Sequence, residues 1–173
     1  MTGEWDRPNR VPWPPILFGA AAVVALVLDH LAPLGAWPQS VALRGVGAAL
    51  MAAGIGLDGA AMLTMHRRKA NILPHRAATA LVTTGPFALS RNPIYLGNTL
   101  LLIGIGLAFR APWFLPAALT AALAVSALAI RREEAHLAAR FGQDWAAYAH
   151  RTPRWLTLWP KAAPQQSSKG DAS

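Results

Sequence analysis

Apolar residues in this chain come in long unbroken runs rather than in the alternation of a half-buried strand or the one-sided stripe of a soluble helix. The first run extends from Pro15 to Leu31 and contains a stretch, Ile16 to Leu28, without a polar side chain. The second spans 41–65 and is interrupted by Arg44 and Asp58. The third, 94–109, has 16 residues and the fourth, 113–130, has 18, both without a charge. A helix that crosses the hydrocarbon layer needs about 20 residues, within a range of about 17–25. The pattern therefore predicts transmembrane helices at 15–31, 41–65, 94–109 and 113–130, the last two short. Only Arg110-Ala111-Pro112 separates these two, so they form an antiparallel hairpin, with Pro112 suited to the start of the returning helix.

Apart from Asp29, His30, Arg44 and Asp58, the charged residues and histidines fall in the connections and the ends of the chain. A connector covers 66–93. Residues 131–150 follow the last apolar run, with Ala138, Phe141, Trp145 and Tyr148 at helical spacing, which predicts an amphipathic helix docked on the bundle or the lipid surface. Arg140 and Asp144 are spaced for an i,i+4 pair on it. Residues 161–173 are rich in Ser, Gln and Ala and are expected to be a disordered tail. The expected fold is all-α: one membrane-embedded domain over 1–173, a bundle of about four transmembrane helices with a short helical hairpin and a C-terminal amphipathic cytoplasmic helix.

Composition agrees. Of 173 residues, 54% are hydrophobic and 14% charged, against about 45–50% and about 25% in soluble domains. The net charge of +8 would suit a nucleic-acid partner, but its distribution argues otherwise. Arg7, Arg10, Arg67, Arg68, Lys69, Arg76, Arg91, Arg131, Arg132, Arg140, Arg151, Arg154, Lys161 and Lys169 fall in 1–14, 66–93 and 131–173; only Arg44 and Arg110 fall at the other ends of the helices. That bias predicts an integral membrane protein with both termini cytoplasmic, and no nucleic acid as partner. No segment at the N-terminus reads as a cleavable signal peptide. The chain has no cysteine, which removes disulfides, thiolate metal sites and thiol nucleophiles. His30, His66, His75, His136 and His150 lack the spacing of a ligand set, so no metal site is expected.

Small residues at Gly45, Ala49, Ala53, Gly56 and Ala60 suit close helix packing in the second segment. Gly54-Ile55-Gly56 and Gly104-Ile105-Gly106 follow no strand and are not phosphate loops. Asp29 and Asp58 are acids within or near the apolar runs; such acids are partnered or functional.

Two polar blocks carry the candidate chemistry. The first runs Thr79-Ala-Leu-Val-Thr-Thr-Gly-Pro-Phe-Ala-Leu-Ser-Arg-Asn-Pro-Ile-Tyr-Leu-Gly97. Gly85-Pro86 marks a turn, and Asn92-Pro93 reads as a helix start with Asn as cap and Pro at the first position. Tyr95 and Gly97 lie near that end, which accepts negative charge. The second block begins Arg131-Arg-Glu-Glu and continues to Arg151-Thr-Pro-Arg154. Joined by one hairpin, both blocks reach the same membrane face. Glu133 or Glu134 can then face the mouth of the hairpin or form a salt-bridged helix end.

Together the two blocks resemble the isoprenylcysteine carboxyl methyltransferase and phospholipid methyltransferase superfamily, integral membrane enzymes that use S-adenosylmethionine. The likeness covers roughly 70–155. It implies a donor site on the cytoplasmic side built from Thr79, Ala80, Leu81, Val82, Phe87, Asn92, Pro93, Ile94 and Tyr95, with Glu133 at the acceptor site. It also implies membrane lipid as surroundings and a lipid-like or hydrophobic methyl acceptor; protein partners are not indicated. The chain departs from the pattern twice. Asn92 stands where the family has histidine, and Ala129 where the isoprenylcysteine enzymes carry an arginine suited to a carboxylate substrate. Those departures turn the expectation away from a prenylcysteine carboxylate. They leave a phospholipid amine, a small thiol, a lipid carboxylate or a hydrophobic metabolite as acceptor, and as a different class a non-catalytic membrane scaffold of the same fold.

Overall fold

A computed structural model describes residues 13–34, 40–68, 70 and 80–156; the expected tail at 161–173 lies outside them. All regular elements among the described residues are helical: α1 (Trp13–Leu31), α2 (Val41–Arg67), α3 (Pro86–Leu89), α4 (Pro93–Phe109), α5 (Phe114–Val125), a π-helical turn (Ser126–Ile130) and α6 (Arg131–Arg151). Three continuous helical stretches, Trp13–Leu31, Val41–Arg67 and Phe114–Arg151, are long and apolar enough to cross a membrane. The apolar part of the last ends at Ile130. α4 is apolar but shorter, with 17 residues.

The helices pack in the spatial order α2, α4, α5, α1, with α1 touching α4 only lightly. The α2–α4 contact is built on glycine. A Cβ on Gly47 would lie 2.7 Å from the Gly104 carbonyl oxygen, and one on Gly54 would lie 2.5 Å from that of Gly97. Each seven-residue step along α2 is answered by a seven-residue step back along α4, a spacing that keeps two helices in register. The face used is Gly47, Gly54 and Ala61, all buried. Gly45, Ala49, Ala53, Gly56 and Ala60, the stripe expected from sequence, are exposed. Both faces of α2 are small; the glycines of α4 select between them.

The α4–α5 turn is tight, as expected. Arg110 takes a left-handed conformation (φ 59°), and its N–H and that of Ala111 bond to the Gly106 carbonyl. α5 starts at Phe114, one residue later than expected. The Asp29 carboxylate accepts a 3.4 Å hydrogen bond from the Trp113 N–H, and the Trp113 indole donates to the Ala32 carbonyl at 2.8 Å. Asp29 thus ties the end of α1 to the start of α5. The core between α1, α4 and α5 holds Phe18, Ala25, Tyr95, Leu102, Phe114, Ala118, Ala121, Val125, Ala129 and Ile130.

Residues 131–151 are not one straight helix. Gly142 has φ 48° and ψ −116°, a conformation open to glycine because it lacks Cβ. The break falls between Arg140 and Asp144, and the ion pair expected of them does not form among the described residues. It also redirects the second half of α6, so that Trp145 and Tyr148 are buried against the segment preceding α4.

Candidate active site

The site forms where α4 begins and α6 leaves the apolar layer. α4 starts as the sequence predicts at its backbone: Asn92 is the N-cap residue, Pro93 follows, and the Leu96 N–H bonds to the Asn92 carbonyl at 3.0 Å. The Asn92 side chain does not cap it, however. Its amide donates instead to the Arg154 carbonyl at 2.9 Å. The Ser90 hydroxyl donates to the same oxygen at 3.2 Å and accepts from the Asn92 N–H at 3.1 Å, while the Arg91 N–H donates to the Pro153 carbonyl at 2.9 Å. The chain after α6 is therefore strapped across residues 90–92. The first N–H groups of α4 are left without a side-chain cap.

One turn into α4, the Tyr95 ring enters the core and its hydroxyl donates a 3.1 Å hydrogen bond to Glu133 Oε2. The π-helical turn immediately before α6 sets the direction in which Glu133 leaves the helix. Burial pushes the Glu133 carboxyl above the usual carboxylate range, and the neighbouring Glu134 adds to that; the bond from Tyr95 acts the other way, because it favours the charged form.

Glu134 points elsewhere. It bonds Arg91 Nη1 at 3.1 Å and receives both Nε (3.0 Å, to Oε1) and Nη2 (to Oε2) of Arg154. Such a two-point guanidinium–carboxylate contact fixes geometry as well as charge. The Arg91 guanidinium also lies 5.6 Å from the centre of the Trp145 ring. Tyr148 stands edge-on to Trp145 and donates to the Phe87 carbonyl at 2.7 Å. α6 does not pack backbone to backbone on α3 or α4. Long side chains and the strap span the gap.

The structure thus brings Tyr95 and Glu133 together and sets Asn92, Pro93 and Ile94 at the start of α4, with Phe87 in the short α3 before it. Pro93 is buried, and Ile94 packs half-buried on the core. Ala80, Leu81 and Val82 form a half-buried irregular segment before Gly85 and make no hydrogen bond to Tyr95 or Glu133. Thr79 lies outside the described residues. Sequence reasoning missed the joint role of Arg91, Glu134 and Arg154. Its signal was present: every charge in it belongs to one of the two polar blocks.

These features define a helical membrane protein with a part-buried acid–phenol pair at one end of its bundle. A family model for phospholipid methyltransferases matches residues 43–144, and the chain belongs to that family. It is 32% identical over 138 residues to the nickel-cobalt-cadmium resistance protein NccN of Alcaligenes xylosoxydans xylosoxydans, covering 79% of this chain and 60% of NccN. It is 33% identical over 114 residues to the cobalt-zinc-cadmium resistance protein CzcN of Cupriavidus metallidurans, covering 59% of this chain and 47% of CzcN. The chain thus matches about half to three fifths of the length of these relatives.

Proposed function

We propose that this protein is an S-adenosylmethionine-dependent methyltransferase acting on a lipid-like or hydrophobic acceptor at the cytoplasmic face of a membrane. The observation that carries the reading is the Tyr95–Glu133 pair: a half-buried carboxylate, held by a buried phenol, where the two polar blocks meet inside the stretch that matches the family.

The residues present fit the donor. S-adenosylmethionine carries a carboxylate, and the start of α4 offers uncapped N–H groups beside Arg91, whose Nε is buried without a partner. Ala80, Leu81, Val82 and Phe87 offer apolar surface and backbone groups for the remainder, with Thr79 assigned there by the family likeness alone. The bound donor would supply a methyl group on a sulfonium, already electrophilic. The protein then needs to align the acceptor, exclude water and manage one proton. In this reading Glu133 accepts that proton from an amine or hydroxyl acceptor, a task its raised affinity for protons supports. Tyr95 holds the carboxylate in one orientation. A phospholipid amine is the acceptor class this favours, with a small thiol as the alternative.

The test is transfer of radiolabelled methyl from the donor to membrane extracts by purified protein, with calorimetric donor binding in detergent. Transfer by wild type and its loss in Glu133→Gln, with donor binding kept, is the expected result. Donor binding without any transfer would favour the scaffold reading. Because both relatives are named for metal resistance, we extend that setting to this chain. A strain lacking the gene should grow less well in nickel, cobalt, zinc or cadmium, and wild type should restore growth where Glu133→Gln does not. Equal restoration by the two would separate the resistance role from catalysis.

A further inference from the structure

We infer that Glu134 is a positioning residue: it clamps the chain at 152–156 over the start of α4, with Gly142 as the pivot, and so holds the donor side of the site closed. The inference rests on the donor reading above and adds to it a residue which that reading does not use.

Three observations carry it. First, Glu134 joins three segments: α6 itself, Arg91 before α4 and Arg154 after α6. Its side chain is only 16% exposed. Second, nothing in regular secondary structure holds 152–156 down. Besides the Thr152 N–H on the Tyr148 carbonyl and the half-buried Trp155 packed on the core, its attachments are the Pro153 and Arg154 carbonyls, which accept hydrogen bonds from Arg91, Ser90 and Asn92, and the Arg154 guanidinium on Glu134. The residues on the other side of these bonds are the rim of the proposed donor site. Third, α6 approaches that rim through side chains alone, and the one glycine-only conformation within α6 lies between Glu134 and Trp145. Rotation at Gly142 moves Trp145, Tyr148 and the strap together, while Glu133 stays on the first half with Tyr95.

Loss of the Glu134 charge therefore acts on closure rather than on chemistry. If closure falls to about a tenth of molecules, the apparent donor Kd rises about tenfold, while turnover at saturating donor is kept. Linkage requires the reverse effect as well: bound donor must favour the closed strap.

The absence of native cysteine permits a single spin label at Leu156→Cys, an exposed position on the strap, with Leu89→Cys, also exposed, as a control on the fixed side. Glu134→Gln should raise mobility of the label at 156 and leave that at 89 unchanged. It should raise the donor Kd and KM about tenfold with kcat within about twofold, and Glu134→Asp should restore part of the loss. S-adenosylhomocysteine should slow the label at 156 in the wild type. Should Glu134→Gln fold poorly, Arg154→Gln, at the more exposed partner, reads the same quantities. Unchanged mobility at 156, or raised mobility with unaltered donor Kd, would overturn the proposal. Raised mobility with no donor binding by any form, wild type included, would overturn the methyl-donor reading and leave the clamp standing.

Discussion

Glu133 and Glu134 leave α6 about 100° apart, and that angle gives them different neighbours. Glu133 meets the buried Tyr95 phenol in a part-buried setting, and Glu134 meets two guanidinium groups. Glu133 prefers its proton more than an ordinary glutamate does, chiefly because burial disfavours the carboxylate. As a base it works only when ionised. kcat should therefore rise with pH along a limb placed above the ordinary glutamate range, and Glu133→Gln should abolish the limb along with about 10²–10⁴-fold of the rate. Removing the Tyr95 hydroxyl deletes a bond that favours the charged form, so Tyr95→Phe should move the limb to still higher pH. A pH–rate series on the three proteins checks the sign; a downward move in Tyr95→Phe would contradict the assigned hydrogen bond. Stability follows the same linkage. The folded state holds the Glu133 proton more tightly than the unfolded chain, so the protein loses stability as pH rises through the native value, and Glu133→Gln should flatten that dependence.

At the scale of elements, the α2–α4 seam tests what glycine contributes. A Cβ at Gly97 would collide with the Asp58 carboxylate and lie 2.8 Å from the Gly54 carbonyl oxygen, whereas a Cβ at Gly56 meets nothing within 4 Å. Overpacking of this kind costs about 1–3 kcal/mol. Gly97→Ala and Gly54→Ala should lower the melting temperature in detergent, and Gly56→Ala should leave it nearly unchanged. The seam also shows where sequence legibility stops. Runs of apolar residues located the long helices to within a few positions, and Asn92-Pro93 and the Arg110-Ala111-Pro112 turn were readable because their local chemistry has few alternatives. The face of α2 was not readable, since small residues line more than one side of it and only the partner helix decides. Gly142 is a further case. One glycine inside an amphipathic pattern is compatible with an unbroken helix, and the docking of Trp145 and Tyr148 makes it a break. The Tyr95–Glu133 meeting was within reach of sequence because one short hairpin separates the two blocks. The family likeness singled out Glu133, but the contacts of Glu134 were not readable, because its direction depends on a π-helical turn without a sequence signature.

At the scale of the whole molecule, the packing sorts the charges by end. Gly47 against Gly104 and Ala108 puts Arg44 and Arg110 at one end of the bundle, and the Asp29–Trp113 contact puts the close of α1 there too. Arg68 reaches the Thr84 hydroxyl at 3.5 Å, and Gly85 lies beside Thr64, which sets residues 84–92, the start of α4 and, through its contacts with them, α6 at the other end. A membrane orients such a molecule by its basic residues, and on that rule the proposed site is expected at the cytoplasmic face, where lipid headgroups and a soluble donor meet. The cysteine-free chain makes this directly measurable. A membrane-impermeant maleimide added to intact cells should modify Arg110→Cys and spare Thr84→Cys; after permeabilisation it should modify both. The reverse pattern would place the Tyr95–Glu133 pair on the face away from the cytosolic donor. The methyltransferase reading would then fail even with every contact of the site intact, because its chemistry requires donor and membrane acceptor to arrive at the same end of α4.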